Sequence, residues 1–394
     1  MSWGSLRDVD QPRIFLSPPD VGKCEEERVS DAIRSGWVAP VGPHLELFEK
    51  AVAELAGRKY AVGVSSGTAA LHLGLLALGV KPGDRVLCST LTFVATANAI
   101  SYVGATPVFV DSEISSGNMS VELLEEAILD LLSAGKKIGA VIPVDFLGSV
   151  AKYEEIMPLC QRFGIPVLAD AAEAVGAVRH SQPAGSFGDA AIFSFNGNKI
   201  ATTSGGGAFL TDNVDQAKKV RHLATQAREP VKHYEHKVLG FNYRLSNVLA
   251  AIGVAQLERL SEIVARRREN RLSYRSLFDS IEGVQVMGES DSEDNCWLTA
   301  LLIDPAVAGF SSAELSEFLE DSNVESRPLW KPMHSQPLYK GGESYVNGSA
   351  EKLFLQGLVV PSGSTLGGVE WERLNHLIGS FLSNTKQNGT LSRG

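Results

Sequence analysis

The stretch Ala191-Ile-Phe-Ser-Phe-Asn-Gly-Asn-Lys-Ile-Ala-Thr-Thr-Ser-Gly-Gly-Gly-Ala-Phe-Leu210 sets one lysine, Lys199, between two segments that read as strands. Asn196, Gly197 and Asn198 precede it, and Gly205, Gly206 and Gly207 follow. A lone lysine in a loop is ordinarily solvated. Here Ile192, Phe193 and Phe195 place Lys199 just past a buried strand. A lysine desolvated in that way loses basicity and attacks a carbonyl as a nucleophile. Strand, polar turn, lysine and glycine run together predict an amine held close against something flat.

Further strand patterns at 85–89, 106–111, 138–144, 166–169 and 191–195 alternate with helical patterns that include 121–132 and 153–163. This reads as α/β, a doubly wound, mostly parallel sheet. Ligands in such sheets gather at the carboxyl ends of strands. The first turn lacks the Gly-x-Gly-x-x-Gly fingerprint of dinucleotide binding, which argues against a nicotinamide enzyme.

Two more motifs fall at strand ends. Val64-Ser-Ser-Gly-Thr-Ala-Ala-Leu-His-Leu runs from a short strand into a helix, so the N-H groups near Gly67, Thr68 and Ala69 sit at a helix N-terminus. Such an end binds phosphate, although a plain capped helix has the same pattern. Asp170 follows the apolar Val167-Leu168-Ala169, and Glu173 comes three residues later in Asp-Ala-Ala-Glu. Asp170 is either a helix cap or a buried carboxylate at a ligand site.

The 394 residues have room for two or three domains, and 44% hydrophobic residues suffice for a large core. A net charge of -10 argues against a general nucleic-acid or acidic-membrane surface. Cys24, Cys88, Cys160 and Cys296 are widely spaced and lack a metal-ligand pattern, which predicts reduced thiols and no metal. No apolar h-region or membrane-length run is present, so a soluble cytoplasmic protein is expected.

The lysine stretch resembles the pyridoxal-phosphate segment of the nucleotide-sugar aminotransferases, the DegT/DnrJ/EryC1/StrS family, and the resemblance extends from about Phe15 to Leu382. It implies a fold-type I aminotransferase, with a large pyridoxal 5'-phosphate domain over 14–260 and a small C-terminal α+β domain over 261–383. Lys199 would then carry the cofactor and act as the catalytic base. Asp170 matches the carboxylate beside the pyridine nitrogen, which keeps the ring an electron sink. Glu173 matches a position beside the phenolic oxygen, where one of the two oxygens must hold a proton. Gly67, Thr68, Ala69 and Ser194 match phosphate contacts, and Phe93 matches the aromatic that stacks on the ring; a core phenylalanine is its alternative. Asn242, in Gly240-Phe-Asn-Tyr-Arg-Leu, matches the residue that reaches the neighbouring subunit's cofactor phosphate, which implies a homodimer with shared active sites. The same resemblance puts Arg228, His233 and Arg244 near the interface or substrate entrance, and the Gly-Trp loop at Trp37 near the sugar.

The segment from Ser246 reads as one long helix into Arg266-Arg-Arg268, a triplet expected on a solvated face. Further on, 297–303 reads as a strand, 312–321 as a helix, 324–327 as a second strand and 369–382 as a closing helix; a disordered tail is expected over 384–394. In Arg327-Pro-Leu-Trp-Lys-Pro-Met-His334, the residues Arg327, Trp330, Lys331 and His334 form either a surface turn or a substrate site, with charge for a diphosphate and an aromatic face for a base or sugar. Within the family, these stretches are most similar to the branch that takes a UDP-linked 4-keto-6-deoxy-N-acetylhexosamine with L-glutamate as donor, releasing 2-oxoglutarate, on the way to bacillosamine. Relatives acting on GDP-linked 4-keto-6-deoxymannose share Asp-Ala-Ala-Glu. A dehydratase branch with histidine in place of the lysine does not fit Lys199, and an inactive sugar-nucleotide sensor remains the non-enzymatic rival.

Overall fold

The computed structural model describes residues 11–391 except 289; the side chains of 386–391 are outside that description, as are 392–394. The large sheet uses β1 (Tyr60–Val64), β2 (Arg85–Ser89), β3 (Thr106–Val110), β4 (Ile138–Ile142) and β5 (Leu168–Asp170). A two-residue hairpin follows, β6 (Val178–Arg179) and β7 (Gln182–Pro183), then β8 (Ala190–Ser194) and β9 (Gly207–Thr211). Parallel bridges Val141↔Val167 and Val144↔Asp170 join the two halves, giving the order β1-β9-β8-β5-β4-β2-β3. Only β9 runs against its neighbours.

Strand residues alternate between two cores, as a pleated strand covered on both faces must. Leu87, Val108, Val110, Ala191 and Phe193 point to one core, beneath helices α2 (Pro43–Leu55), α5 (Val121–Ser133), α6 (Tyr153–Arg162) and α8 (Asn247–Glu258). Val86, Cys88, Phe109 and Ile192 point to the other, beneath α3 (Gly67–Leu78), α4 (Val94–Tyr102) and α7 (Val214–Ala224). The doubly wound α/β architecture is therefore present. Helix α1 (Lys23–Arg34) packs against α8.

The long helix expected from Ser246 is broken. Helix α8 ends at Glu258, and α9 (Leu260–Phe278) begins after Arg259, which ties back to Asp20 and Glu25. The solvated arginine face is also corrected. Arg266 is exposed, but Arg267 is 1% exposed and donates to the Trp297 carbonyl at 2.6 Å and to Ser17 Oγ at 3.1 Å.

The small unit contains β10 (Val284–Val286), β11 (Thr299–Ile303), β12 (Arg327–Pro328) and, in chain order, β13 (Ser344–Tyr345) and β14 (Gly357–Val360). Its sheet is β10-β11-β14-β12, whereas β13 crosses back and extends the large sheet in parallel with β3. Asp111 fixes this return by accepting from the amides of Asn347, Gly348 and Ala350, the last in α12 (Ser349–Gln356). Ile14 in turn pairs with Val324, so the chain does not divide simply at residue 260. Helix α11 (Ser312–Asp321), after the short α10 (Pro305–Ala308), matches its expected range. The second strand expected over 324–327 is displaced: the ladder holds Arg327 and Pro328, while Val324 and Glu325 pair instead with Ile14. Helix α13 (Gly368–Leu391) continues through most of the supposed tail. Among the described residues no helix is long and apolar enough to cross a membrane.

Candidate active site

Strands β1, β2, β4, β5 and β8 share one direction, so their carboxyl ends and the amino end of β9 meet at one edge. There Ser66 caps α3, its hydroxyl accepting from the Ala69 amide at 3.0 Å. The Gly67 and Thr68 amides have no hydrogen-bond partner among the described residues, which leaves two donors at the positive end of the helix. Gly207 pairs with both Val64 and Ser194. A Cβ on Gly67 would lie 2.9 Å from that of Ser194, and one on Gly207 would lie 2.5 Å from the Ser66 carbonyl. Glycine thus lets the helix N-terminus and the Ser194 hydroxyl converge, a cradle suited to a phosphate.

Lys199 lies in the turn beyond β8 with its side chain 11% exposed. Its Nζ is 3.4 Å from Glu173 Oε1 and 3.8 Å from the centroid of the Trp297 ring. Glu173 accepts from the Leu147 amide at 2.8 Å. Burial pushes its carboxyl above the usual carboxylate range, and Lys199 pulls in the opposite sense. Asp170 is 3% exposed at the end of β5 and accepts from Thr96 Oγ1 at 2.7 Å and from the Ala172 amide at 3.2 Å. Burial raises it too, against those hydrogen bonds and Lys199. No helix follows Asp170, so the capping alternative falls. A third carboxyl, Asp145, lies behind these two, fully buried and pushed up to about 7, chiefly by desolvation.

The remaining sequence-selected residues separate. Phe93, just before α4, is 60% exposed, which excludes a core role. Trp330 packs edge-on against Phe146 at 5.5 Å and tilted against Trp297 at 5.9 Å, so it extends the aromatic wall beside Lys199. Arg327 and Lys331 are exposed, and Arg327 pairs with Glu325 at 3.0 Å. Asn242 is exposed and accepts from Gln226 Nε2 at 2.9 Å. Arg228 lies over the Tyr234 ring, and exposed His233 pairs with Glu235.

Two of the residues expected at the substrate make framework contacts. The Arg244 side chain is 7% exposed and donates to Glu49 at 2.6 Å and to the Gly63 carbonyl at 2.9 Å. It fastens β1 to α2 through Nη1. His334 uses both ring nitrogens, one with Thr90 Oγ1 at 2.6 Å and the other with Glu351. It is a latch between the returning segment and the loop that leads to Phe93. Sequence reasoning missed Trp297, Asn295, Thr96 and Asp145.

The arrangement fits pyridoxal 5'-phosphate: free amides and a hydroxyl for a phosphate, a buried carboxylate for a ring nitrogen and a shielded amine for an aldehyde. A sequence profile of the DegT/DnrJ/EryC1/StrS aminotransferase family matches residues 19–378. EpsN of Bacillus subtilis strain 168, whose name assigns it provisionally to the pyridoxal phosphate-dependent aminotransferases, is 46% identical over 90% of this chain and 92% of its own. GDP-perosamine synthase of Escherichia coli O157:H7 is 37% identical over 94% of this chain and 99% of its own. The pyridoxamine phosphate form of Spr1654, a provisionally assigned sugar aminotransferase from Streptococcus pneumoniae, superposes with a TM-score of 0.86 at 26% identity, covering 97% of this chain and all of that one. This chain is therefore a member of the DegT/DnrJ/EryC1/StrS family, a sugar aminotransferase that depends on pyridoxal phosphate.

Proposed function

We propose that the protein transfers the amino group of L-glutamate to C4 of a UDP-linked 4-keto-6-deoxy-N-acetylhexosamine, yielding the 4-amino sugar for glycan synthesis and releasing 2-oxoglutarate. The observation that carries an aminotransferase reading is the Lys199 amine, shielded between Glu173 and Trp297 at the strand edge that also holds Asp170. The choice of sugar rests on the likeness of 327–334 and the lysine stretch to the bacillosamine branch.

When bound, pyridoxal 5'-phosphate supplies an electron sink for the carbanion that forms at the donor's α-carbon. The α3 N-terminus at Gly67, Thr68 and Ala69, together with Ser194, would hold its phosphate, and Phe93 would cover the ring face. Asp170 would hold the proton on the ring nitrogen. Lys199 removes the α-proton of glutamate in the first half of the cycle and returns one to sugar C4 in the second. Glu173 sits beside the amine, its carboxyl pushed above the usual carboxylate range by burial and pulled back by Lys199. Arg327, Trp330 and Lys331 would line the nucleotide-sugar path. His334 and Arg244 act through the framework.

A homodimer with shared sites belongs to this reading, with Asn242 reaching the neighbouring site. Exposed Trp37, Val38 and Val41 in one loop and Tyr234, Val238 and Leu239 in another support such a contact. The first of these loops is tied to the start of α8, where Asn247 donates to the carbonyls of Trp37 and Ala39. Four free cysteines favour a reducing, cytoplasmic setting.

The test is the visible spectrum of the purified protein. A yellow band removed by glutamate and restored by the UDP-linked ketosugar is expected. Restoration only by GDP-linked 4-keto-6-deoxymannose would establish the second reading, which the perosamine synthase likeness favours. Lys199→Ala should retain the cofactor and lose turnover by several orders of magnitude; wild-type turnover in that variant would end the proposal.

A further inference from the structure

Trp297 is 2% exposed, and each of its polar groups is engaged. Its amide donates to Asn295 Oδ1 at 2.9 Å, and its carbonyl accepts from Arg267. Its indole Nε1 donates at 2.8 Å to the carbonyl of Asn198, the residue before Lys199. Ser17 Oγ donates to that same carbonyl at 3.2 Å and accepts from Arg267. Arg267, Trp297, Asn198 and Ser17 thus close a hydrogen-bonded ring around the base of the lysine turn. Burial pulls the Arg267 guanidinium down to about 10, which still leaves it charged at neutral pH.

The indole face forms one jaw on the Lys199 amine, and Glu173 forms the other. Asn295 joins the jaws, because its Nδ2 donates to the Glu173 carbonyl at 2.8 Å while its Oδ1 accepts from Trp297. Gly148 lets this happen; a Cβ there would lie 1.9 Å from Asn295 Oδ1.

We infer that Trp297 is the positioning residue of Lys199, fixing the lysine turn through its indole N-H and holding the free amine against Glu173 with its ring face. A lysine that carries a cofactor and also moves a proton must be free for part of each cycle. A four-carbon stem then has many rotamers, and the jaws select the one that keeps the amine at the site. The inference rests on the aminotransferase reading for its catalytic meaning, while its geometric content stands on the free amine alone.

Two experiments test it. The first is a double-mutant cycle on the full-length protein freed of cofactor, using Trp297→Leu and Lys199→Met with unfolding followed in urea. A desolvated cation over an indole predicts coupling of about tenfold in the unfolding constant; additive effects would overturn the inference. If Trp297→Leu does not fold, Trp297→Phe takes its place, with about threefold coupling expected because phenylalanine holds a cation less well.

The second experiment uses the holoenzyme and the rate of the glutamate half-reaction. Trp297→Phe should lower kcat about tenfold with KM for glutamate within twofold, the pattern of lost orientation at unchanged binding. In a Lys199→Ala background supplied with methylamine, Trp297→Phe should leave the rate unchanged. Equal slowing in both backgrounds would show that Trp297 shapes the site at large and would overturn its assignment to Lys199. Undiminished turnover in Lys199→Ala itself would remove the aminotransferase reading, and the cofactor-free cycle would still decide whether the indole holds the amine.

Discussion

Replacing Asp145 with asparagine should change how stability depends on pH. Asp145 is fully buried, its Oδ1 accepting from the Ala151 amide at 2.9 Å. Its Oδ2 makes no well-formed hydrogen bond, and neither does the Tyr153 hydroxyl that faces it. Desolvation lifts the carboxyl from an ordinary 3.8 to about 7, with Asp170 and Glu173 adding to the rise. Because the folded value lies above the unfolded one, the native state binds more protons. The stability that Asp145 contributes is therefore fully present below about pH 4 and is lost as pH climbs through 7. At ~1.4 kcal/mol per pH unit, the loss across that window is ~4 kcal/mol. An unfolding entropy of ~2 cal/mol/K per residue over a chain this long makes each kcal/mol worth ~1 °C. Asparagine keeps the bond to Ala151 and offers its Nδ2 to Tyr153 without titrating. The melting temperature of Asp145→Asn should thus match that of the native sequence near pH 4.5 and exceed it by ~5 °C at pH 8. Calorimetry of both proteins at several pH values measures this. A difference that stays constant from pH 4.5 to 8 would refute the raised value of the Asp145 carboxyl.

The cradle and the framework give two further expectations. Gly207→Ala requires no forbidden backbone angle but puts a Cβ 2.5 Å from the Ser66 carbonyl, so α3 must shift. Cofactor affinity by equilibrium dialysis should fall about tenfold with circular dichroism unchanged, since overpacking costs ~1–3 kcal/mol. Glu49→Gln leaves the Arg244 guanidinium buried without its counter-ion. The melting temperature should drop by several degrees, reflecting a loss of ~3 kcal/mol, while KM for the sugar nucleotide stays within twofold. A large rise in KM with unchanged stability would return Arg244 to the substrate site.

The parts of the site legible in sequence are those whose meaning is local. Ser66-Gly67-Thr68 declares a helix start, the apolar run before Asp170 declares a strand end, and Phe193 and Phe195 announce that Lys199 emerges from a core. Trp297 and Asn295 were not legible, because nothing in Asp-Asn-Cys-Trp says which distant loop those side chains meet. Arg267 misled because a basic triplet suggests solvent, whereas α9 turns each member in a different direction and buries the middle one. Arg244 shows another limit. A family motif marks where an arginine falls, but only packing reveals that its Nη1 is engaged by Glu49 and Gly63. The break at Arg259 was hidden by the apolar spacing, which continues across it, while the acidic partners that hold the break lie at Asp20 and Glu25.

The return of β13 to the large sheet bears on how the chain is made. Until Ser344 and Tyr345 arrive, β3 is a border strand with unmatched peptide groups, and the amides of Phe109 and Asp111 await the carbonyls of Glu343 and Tyr345. Such a border recruits other strands when left open. Glu343 is held by Arg85 and Lys136, so the late segment pairs with charges that stand earlier in the chain. The first half of the chain can lay down the sheet and its lysine, but the last part seals the border of that sheet.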